Sequence, residues 1–244
     1  MDHRHSDRLE FEDAEALAVA AAELVAEVIG QAIGDRGEAS IVLAGGSTPD
    51  KTYRRLAVVP IDWRQVWIFW SDERCVGADD PGSNYAMARS SLLDPAEVPE
   101  GRIFRIAGER SAGEAARDYE RALRSTFGDR RWPTFDLALL GLGGDGHTAS
   151  IFSDDFSGPG ADEPRTWVRA ARGPAPYTER VTLTLGALAS ARQVVFLVSG
   201  GGKAGIVARL LSGAGDDLPA ARLVRRAKRV TWLLDADAAS GLQS

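Results

Sequence analysis

"ASIVLAGGSTPDKTY", residues 39–53, decides how the rest of the chain is read. A short, mostly apolar run ends at Gly45-Gly46, as expected of a strand buried on both faces. A helix is expected next, with Ser47 or Thr48 as its cap and Pro49 at its first position. A helix start offers free N–H groups and the positive end of a dipole, so Gly45, Gly46, Ser47 and Thr48 describe a seat for a small anion or oxygen-rich group. The competing reading is a plain strand-to-helix turn. Lys51-Thr52 imitates the end of a nucleotide-binding loop, but the second required glycine is Asp50, and Pro49 lacks an N–H donor. A nucleotide loop is therefore excluded.

The same alternation recurs on both sides. Upstream, residues 8–37 read as a brief strand and then a helix, with a stripe of Leu17, Ala21, Leu24, Val28 and Ala32, capped by Asp13 and stopped at Gly34 or Gly37. Downstream, "VWIFWSDER" from Val66 is strand-like, "SNYAMARSSLL" and "AGEAARDYERALRSTFG" are helical, and "FDLALLGLGGDGH" from Phe135 is a buried strand ending in glycines. "TWVRAA" and "RVTLTL" are shorter strand candidates. "QVVFLVSGGGKAGIVARLL" reads as strand, turn and helix, and "RVTWLLDADAA" closes the chain. Strands alternating with helices predict an α/β fold: one Rossmann-like domain over residues 1–244, with a mostly parallel sheet flanked by helices and residues 1–7 as a mobile tail.

Length and composition agree with one domain that needs no staple: 244 residues, 44% hydrophobic and 26% charged. The single cysteine, Cys75, cannot form an internal disulfide. The polar start and the lack of eighteen consecutive apolar residues predict a cytoplasmic chain without a membrane partner. A net charge of −6 argues against general nucleic-acid binding. The basic run "RLVRRAKRV" from Arg222 reads as a solvated strand edge or loop. Oligomeric state is not legible.

In parallel sheets, ligands sit beyond the carboxyl ends of the strands. That rule gathers Gly45 to Thr48, Ser71 to Arg74, Gly143 to His147 and Ser199 to Lys203. "GLGGDG" imitates a dinucleotide fingerprint, but Asp162 and Glu163, at the distance of its acidic partner, lie in a loop, and Asp145 would face the pyrophosphate. Of three histidines, His3 and His5 lie in the tail, while His147 sits in a glycine-rich turn at a strand end. An imidazole there suits general base work near neutrality, with Asp145 placed to orient the ring; a packed structural histidine is the alternative. Arg74 and Lys203, at separate strand ends, suit one anionic ligand: a planar fork and a mobile point charge. Asp72 is a candidate to orient Arg74 or a sugar hydroxyl, or simply a strand-end cap. No histidine or cysteine spacing suggests a metal.

"LAGGSTPDKTYRRL", "WSDERCVGADDPGSNYAMARSSLL", "FDLALLGLGGDGHTASIFS", "RVTLTLGAL" and "FLVSGGGKAGIV" together resemble the successive motifs of the 6-phosphogluconolactonase family. The resemblance implies the fold shared with glucosamine-6-phosphate deaminase and ribose-5-phosphate isomerase. It also implies a sugar-phosphate lactone as substrate, hydrolysed in the oxidative pentose phosphate pathway without a cofactor. The family's catalytic histidine falls on His147 and its phosphate-binding cations on Arg74 and Lys203, with Gly45 to Thr48 lining the same site. Asp72 and Asp145 join the expected set, the first beside the chemistry and the second on the substrate. Oxyanion donors are expected at Gly45-Gly46 or Gly143-Gly144. Deaminases resemble the chain in two of these motifs. They usually carry tyrosine where Arg74 stands and a glutamate five residues after the histidine, where this chain has Phe152. A non-catalytic sugar-phosphate sensor on the same fold is the reading of a different class.

Overall fold

The structure, a computed structural model, describes residues 6–156 and 166–242. His3, His5, Asp162 and Glu163 lie outside them. Six strands form a wholly parallel sheet: β1 (Ser6–Phe11), β2 (Ala39–Leu43), β3 (Val66–Trp70), β5 (Leu137–Leu140), β8 (Gln193–Val198) and β9 (Val230–Asp235). Their order is β1-β9-β8-β5-β2-β3. Every residue of β2, β5, β8 and β9 is buried, which is why these strands read as continuous apolar runs rather than alternating ones. β1 begins at Ser6, so Ser6 and Asp7 are paired strand residues and not tail.

The long helix α1 (Ala14–Arg36) starts at Asp13, whose carboxylate accepts from the N–H groups of Glu15 and Ala16, and stops at Gly37 in the left-handed conformation. Its buried stripe is Leu17, Ala18, Ala21, Ala22, Val25, Ile29 and Ala32. The expected Leu24 and Val28 are only partly buried, because the stripe is wider than a single row and is centred on Val25 and Ile29. By length and composition alone α1 would pass as a membrane span. Here that apolar face packs on the sheet and on α2 (Ser47–Leu56).

Two further departures matter for the site. "VWIFWSDER" is not one strand. After β3 the chain turns at Ser71, and Asp72–Arg74 forms β4 in a separate antiparallel sheet, order β4-β7-β6, with β6 (Val168–Arg172) and β7 (Glu179–Leu183). Helix α4 (Ala112–Phe127) packs on β6 and β7. Ser71 joins the two sheets: its N–H donates to Leu43 of β2 at 2.8 Å, and its carbonyl accepts from Leu183 of β7 at 2.7 Å. Sequence periodicity misses the break because the residues on both sides are buried. The basic run from Arg222 is also not an edge or loop throughout. It begins in α7 (Pro219–Arg226), which packs on α5 (Leu185–Ala189) and buries Pro219, Ala220 and Leu223.

Glu73, on β4, locks the second sheet to α3 (Asn84–Ala88). Its buried carboxylate accepts from the backbone of Arg74, Asn84 and Tyr85, each at 2.8 Å, and from the Ser83 hydroxyl at 2.9 Å. Most of those donors lie at the start of α3, so one side chain holds the loop and helix start against the strand. Burial pushes the Glu73 carboxyl above the ordinary glutamate range, against the opposing pull of these donors. Glu73→Gln turns an acceptor edge into a donor facing donors, and a loss of about 1–3 kcal/mol in urea unfolding is expected. A carboxyl raised in the folded state adds stability below its unfolded pKa and loses it as pH rises through the folded value. The gap between the parent chain and Glu73→Gln should therefore narrow as pH rises above the ordinary glutamate range, read as urea midpoints.

Candidate active site

Beyond the carboxyl ends of β2 and β5, and beside β4, a cleft of about 200 Å³ is lined by residues from six separate segments. The β2–α2 turn supplies Gly45 and Gly46, β4 supplies Asp72 and Arg74, and the turn after β5 supplies Gly143 and His147. Asn84 comes from α3, Arg180 from β7, and Lys203 from the turn before α6 (Ala204–Leu211).

The β2–α2 turn differs from its expected form. Gly46, not Ser47 or Thr48, is the cap, with φ 113°, a left-handed value that a side chain rarely tolerates. The helix starts at Ser47, which places Pro49 at the third helical position. Thr48 is buried, its hydroxyl 2.7 Å from that of Ser199 at the end of β8, and Ser47 is exposed. Neither lines the cleft, whereas both glycines do.

His147 is held from three sides. Its Nδ1 lies 2.5 Å from Oδ1 of Asp145, and its ring packs against Phe152 at 4.7 Å between centroids. Its carbonyl accepts from the Gly143 N–H at 2.8 Å. A Cβ on Gly143 would sit 2.0 Å from Nδ1, so only glycine leaves room for the ring. With a carboxylate accepting at Nδ1, the proton belongs there and Nε2 carries the lone pair. Burial pushes the Asp145 carboxyl upward, but hydrogen bonds from the His147 ring and backbone outweigh it and hold the group below the usual aspartate value. Asp145 itself does not line the cleft; it acts on the histidine. Two residues further on, Ala149 has φ 48° and does line the cleft, a strained backbone of the kind that gathers at working sites.

The cations form the other wall. The register of β4 on β7 sets Arg74 directly opposite Arg180. Arg74 donates to the Gly82 carbonyl and lies over the Tyr177 ring at 5.8 Å, while its buried Nε has no partner. Arg180 is 9% exposed and donates to the Tyr177 carbonyl at 2.9 Å and weakly, at 3.4 Å, to Ser150 Oγ. Burial, and then the Arg74 charge beside it, pull Arg180 below the usual guanidinium value. Among the described residues no carboxylate lies within ion-pair distance of Arg74, Arg180 or Lys203. Asp72 is buried beneath them and is spoken for: its carboxylate accepts from Ser150 at 2.6 Å and Ser71 at 3.0 Å. Three cations and a partnerless buried donor around one small cleft suit a dianion such as a phosphate.

Of the expected residues, the structure thus brings together Gly45, Gly46, Asp72, Arg74, His147 and Lys203. Sequence reading missed Arg180 and Asn84. Arg180 opens the strand motif "RVTLTL", but only the antiparallel register reveals that it meets Arg74.

A family model described as glucosamine-6-phosphate isomerases/6-phosphogluconolactonase matches residues 12–232. The chain is 37% identical to the 6-phosphogluconolactonase of Mycobacterium tuberculosis over 244 residues, covering 96% of this chain and 97% of that one. Among solved structures, 6-phosphogluconolactonase from Trypanosoma cruzi superposes with a TM-score of 0.86 at 29% identity, covering 99% of this chain and 98% of that one. A monomeric glucosamine-6-phosphate deaminase superposes with a TM-score of 0.78 at 26% identity, over 96% and 99% of the two chains. The matched span takes in every residue described around the cleft, and the chain belongs to the glucosamine-6-phosphate isomerase/6-phosphogluconolactonase family.

Proposed function

We propose that this chain hydrolyses 6-phospho-D-glucono-1,5-lactone to 6-phosphogluconate, with His147 as the general base and Arg74, Arg180 and Lys203 as the phosphate clamp. One observation carries the reading: an imidazole oriented by a carboxylate shares a small cleft with three cations that lack carboxylate partners among the described residues.

In this reading the phosphate enters between Arg74 and Arg180, relieves their mutual repulsion and fixes C1 near His147. Nε2 takes a proton from water as the water oxygen bonds to C1. Collapse of the tetrahedral intermediate breaks the bond from C1 to the ring oxygen, which receives that proton from the imidazolium. Asp145 supports the positive ring between the two transfers without itself becoming protonated. Of the glycine N–H groups expected to stabilise the oxyanion, that of Gly143 is already given to His147, which favours the Gly45-Gly46 pair at the cleft wall. Phe152 argues against amino-sugar ring opening. Its ring packs at a tilt against His147 where the resemblance to deaminases requires a glutamate, and a phenyl ring moves no proton.

His147→Ala should lower kcat by about 10²–10⁴-fold. Asp145→Asn should lower kcat with little change in KM, because it alters the tautomer and not the binding of phosphate. Both are measured as acid release from freshly generated lactone, and an unchanged kcat for His147→Ala overturns the general-base role. Arg180→Ala should cost about 10–100-fold in kcat/KM on the phosphorylated lactone, the worth of one hydrogen bond to a charged group. It should cost far less on unphosphorylated gluconolactone; equal losses on both would remove Arg180 and its partners from phosphate recognition.

A further inference from the structure

Asn84 is only 3% exposed, yet it lines the cleft, and the proposed reaction gives it no part. Its backbone N–H donates to the Glu73 carboxylate at 2.8 Å, and its amide nitrogen donates to the Asp72 carbonyl at 2.9 Å. Both bonds run to neighbouring residues of β4, so the side chain is fixed against the strand that carries Arg74. A carbonyl only accepts, so the NH2 half of the amide faces Asp72 and Oδ1 faces the other way. On that side stands Gly45, where a Cβ would lie 1.9 Å from Oδ1. Among the described residues none donates a hydrogen bond to Oδ1.

The other polar side chains of the cleft are poor partners for an incoming O–H. Arg74, Arg180 and Lys203 only donate, and the Nε2 lone pair of His147 is committed to water in the proposed reaction. Asp72 already accepts from Ser150 and Ser71. Two backbone carbonyls of the wall are taken as well: that of Ala44 accepts from the Tyr53 hydroxyl, and that of Gly141 from the Thr148 hydroxyl, each at 2.9 Å. A sugar lactone is a polyol, and every hydroxyl it buries needs an acceptor. Oδ1 of Asn84 supplies a neutral one, which neither repels a phosphate nor pairs with the arginines. A carboxylate in its place would do both. The seat against Gly45 selects the hydroxyl. In the proposed reaction Gly45-Gly46 flank the carbonyl carbon, and the hydroxyl next to that carbon is the one on C2.

We propose that Oδ1 of Asn84 accepts a hydrogen bond from the C2 hydroxyl of the lactone and so helps set substrate specificity; the inference rests on the lactonase reading. Acid release is followed on the phosphorylated gluconolactone, its 2-deoxy analogue and its C4 epimer, each freshly generated. Asn84→Ala should lower kcat/KM about tenfold on the first and on the epimer, the worth of one neutral hydrogen bond, and less than about twofold on the 2-deoxy lactone. Gly45→Ala places a methyl on Oδ1 while leaving Asn84 itself in the chain. It should shrink the preference for the 2-hydroxy over the 2-deoxy lactone in the same way, and it carries the test if Asn84→Ala does not fold. Equal losses on all three lactones would overturn the proposal and leave Asn84 as a support between β4 and α3. A loss that persists on the 2-deoxy lactone and vanishes on the epimer would overturn it in favour of C4. No hydrolysis of any lactone by the parent chain would remove the lactonase reading, and this inference with it.

Discussion

Two guanidinium groups are forced side by side. Arg74 and Arg180 stand directly opposite one another across the β4–β7 ladder, largely withdrawn from water. Like charges so placed destabilise a sheet. Among the described residues no carboxylate is paired with either, and a buried Nε on Arg74 is left without an acceptor. A fold selected for stability alone would neutralise this pair. In the proposed function an arriving anion completes the electrostatics, so that the mutual repulsion of the pair becomes attraction for ligand.

The surrounding structure is arranged to keep that pair and the histidine in place. Ser71 hands the chain from the parallel sheet to the antiparallel one, which puts β4 within reach of β7. Glu73 then anchors the start of α3 and its preceding loop, including Gly82, the carbonyl partner of Arg74. Asp235, at the end of β9, accepts from the Gly200 N–H at 2.9 Å and caps the next helix through Ala238, steadying the turn that carries Lys203. These supports are buried or half-buried polar groups with satisfied partners, which define geometry more sharply than apolar packing does.

Much of the site was legible because its parts are local. Gly45-Gly46 and the turn around His147 announce themselves as glycine-rich strand ends, and Asp145 lies two residues from the ring it orients. Arg74 and Lys203 stood out as cations where a parallel sheet binds its ligands. Ser47 and Thr48 stood out for the same reason, yet one is exposed and the other turns its hydroxyl to Ser199. The direction of a side chain at a helix start depends on where the cap falls, and Gly46 moved that cap by one residue. The break at Ser71 was illegible, since residues on both sides of it are buried and the pairing of Asp72–Arg74 with β7 depends on a distant strand.

By itself, the sequence determined the α/β class, the parallel sheet, the strand ends and the place of the imidazole at one of them. Each of these comes from hydrophobic period, from glycine punctuation or from neighbours within a few residues. Only the tertiary structure decided that Arg180 joins Arg74 and that Asn84 reaches the cleft. Those pairings depend on strand register and on how distant segments dock. No local pattern encodes that outcome, because it is set by the packing of the whole core at once.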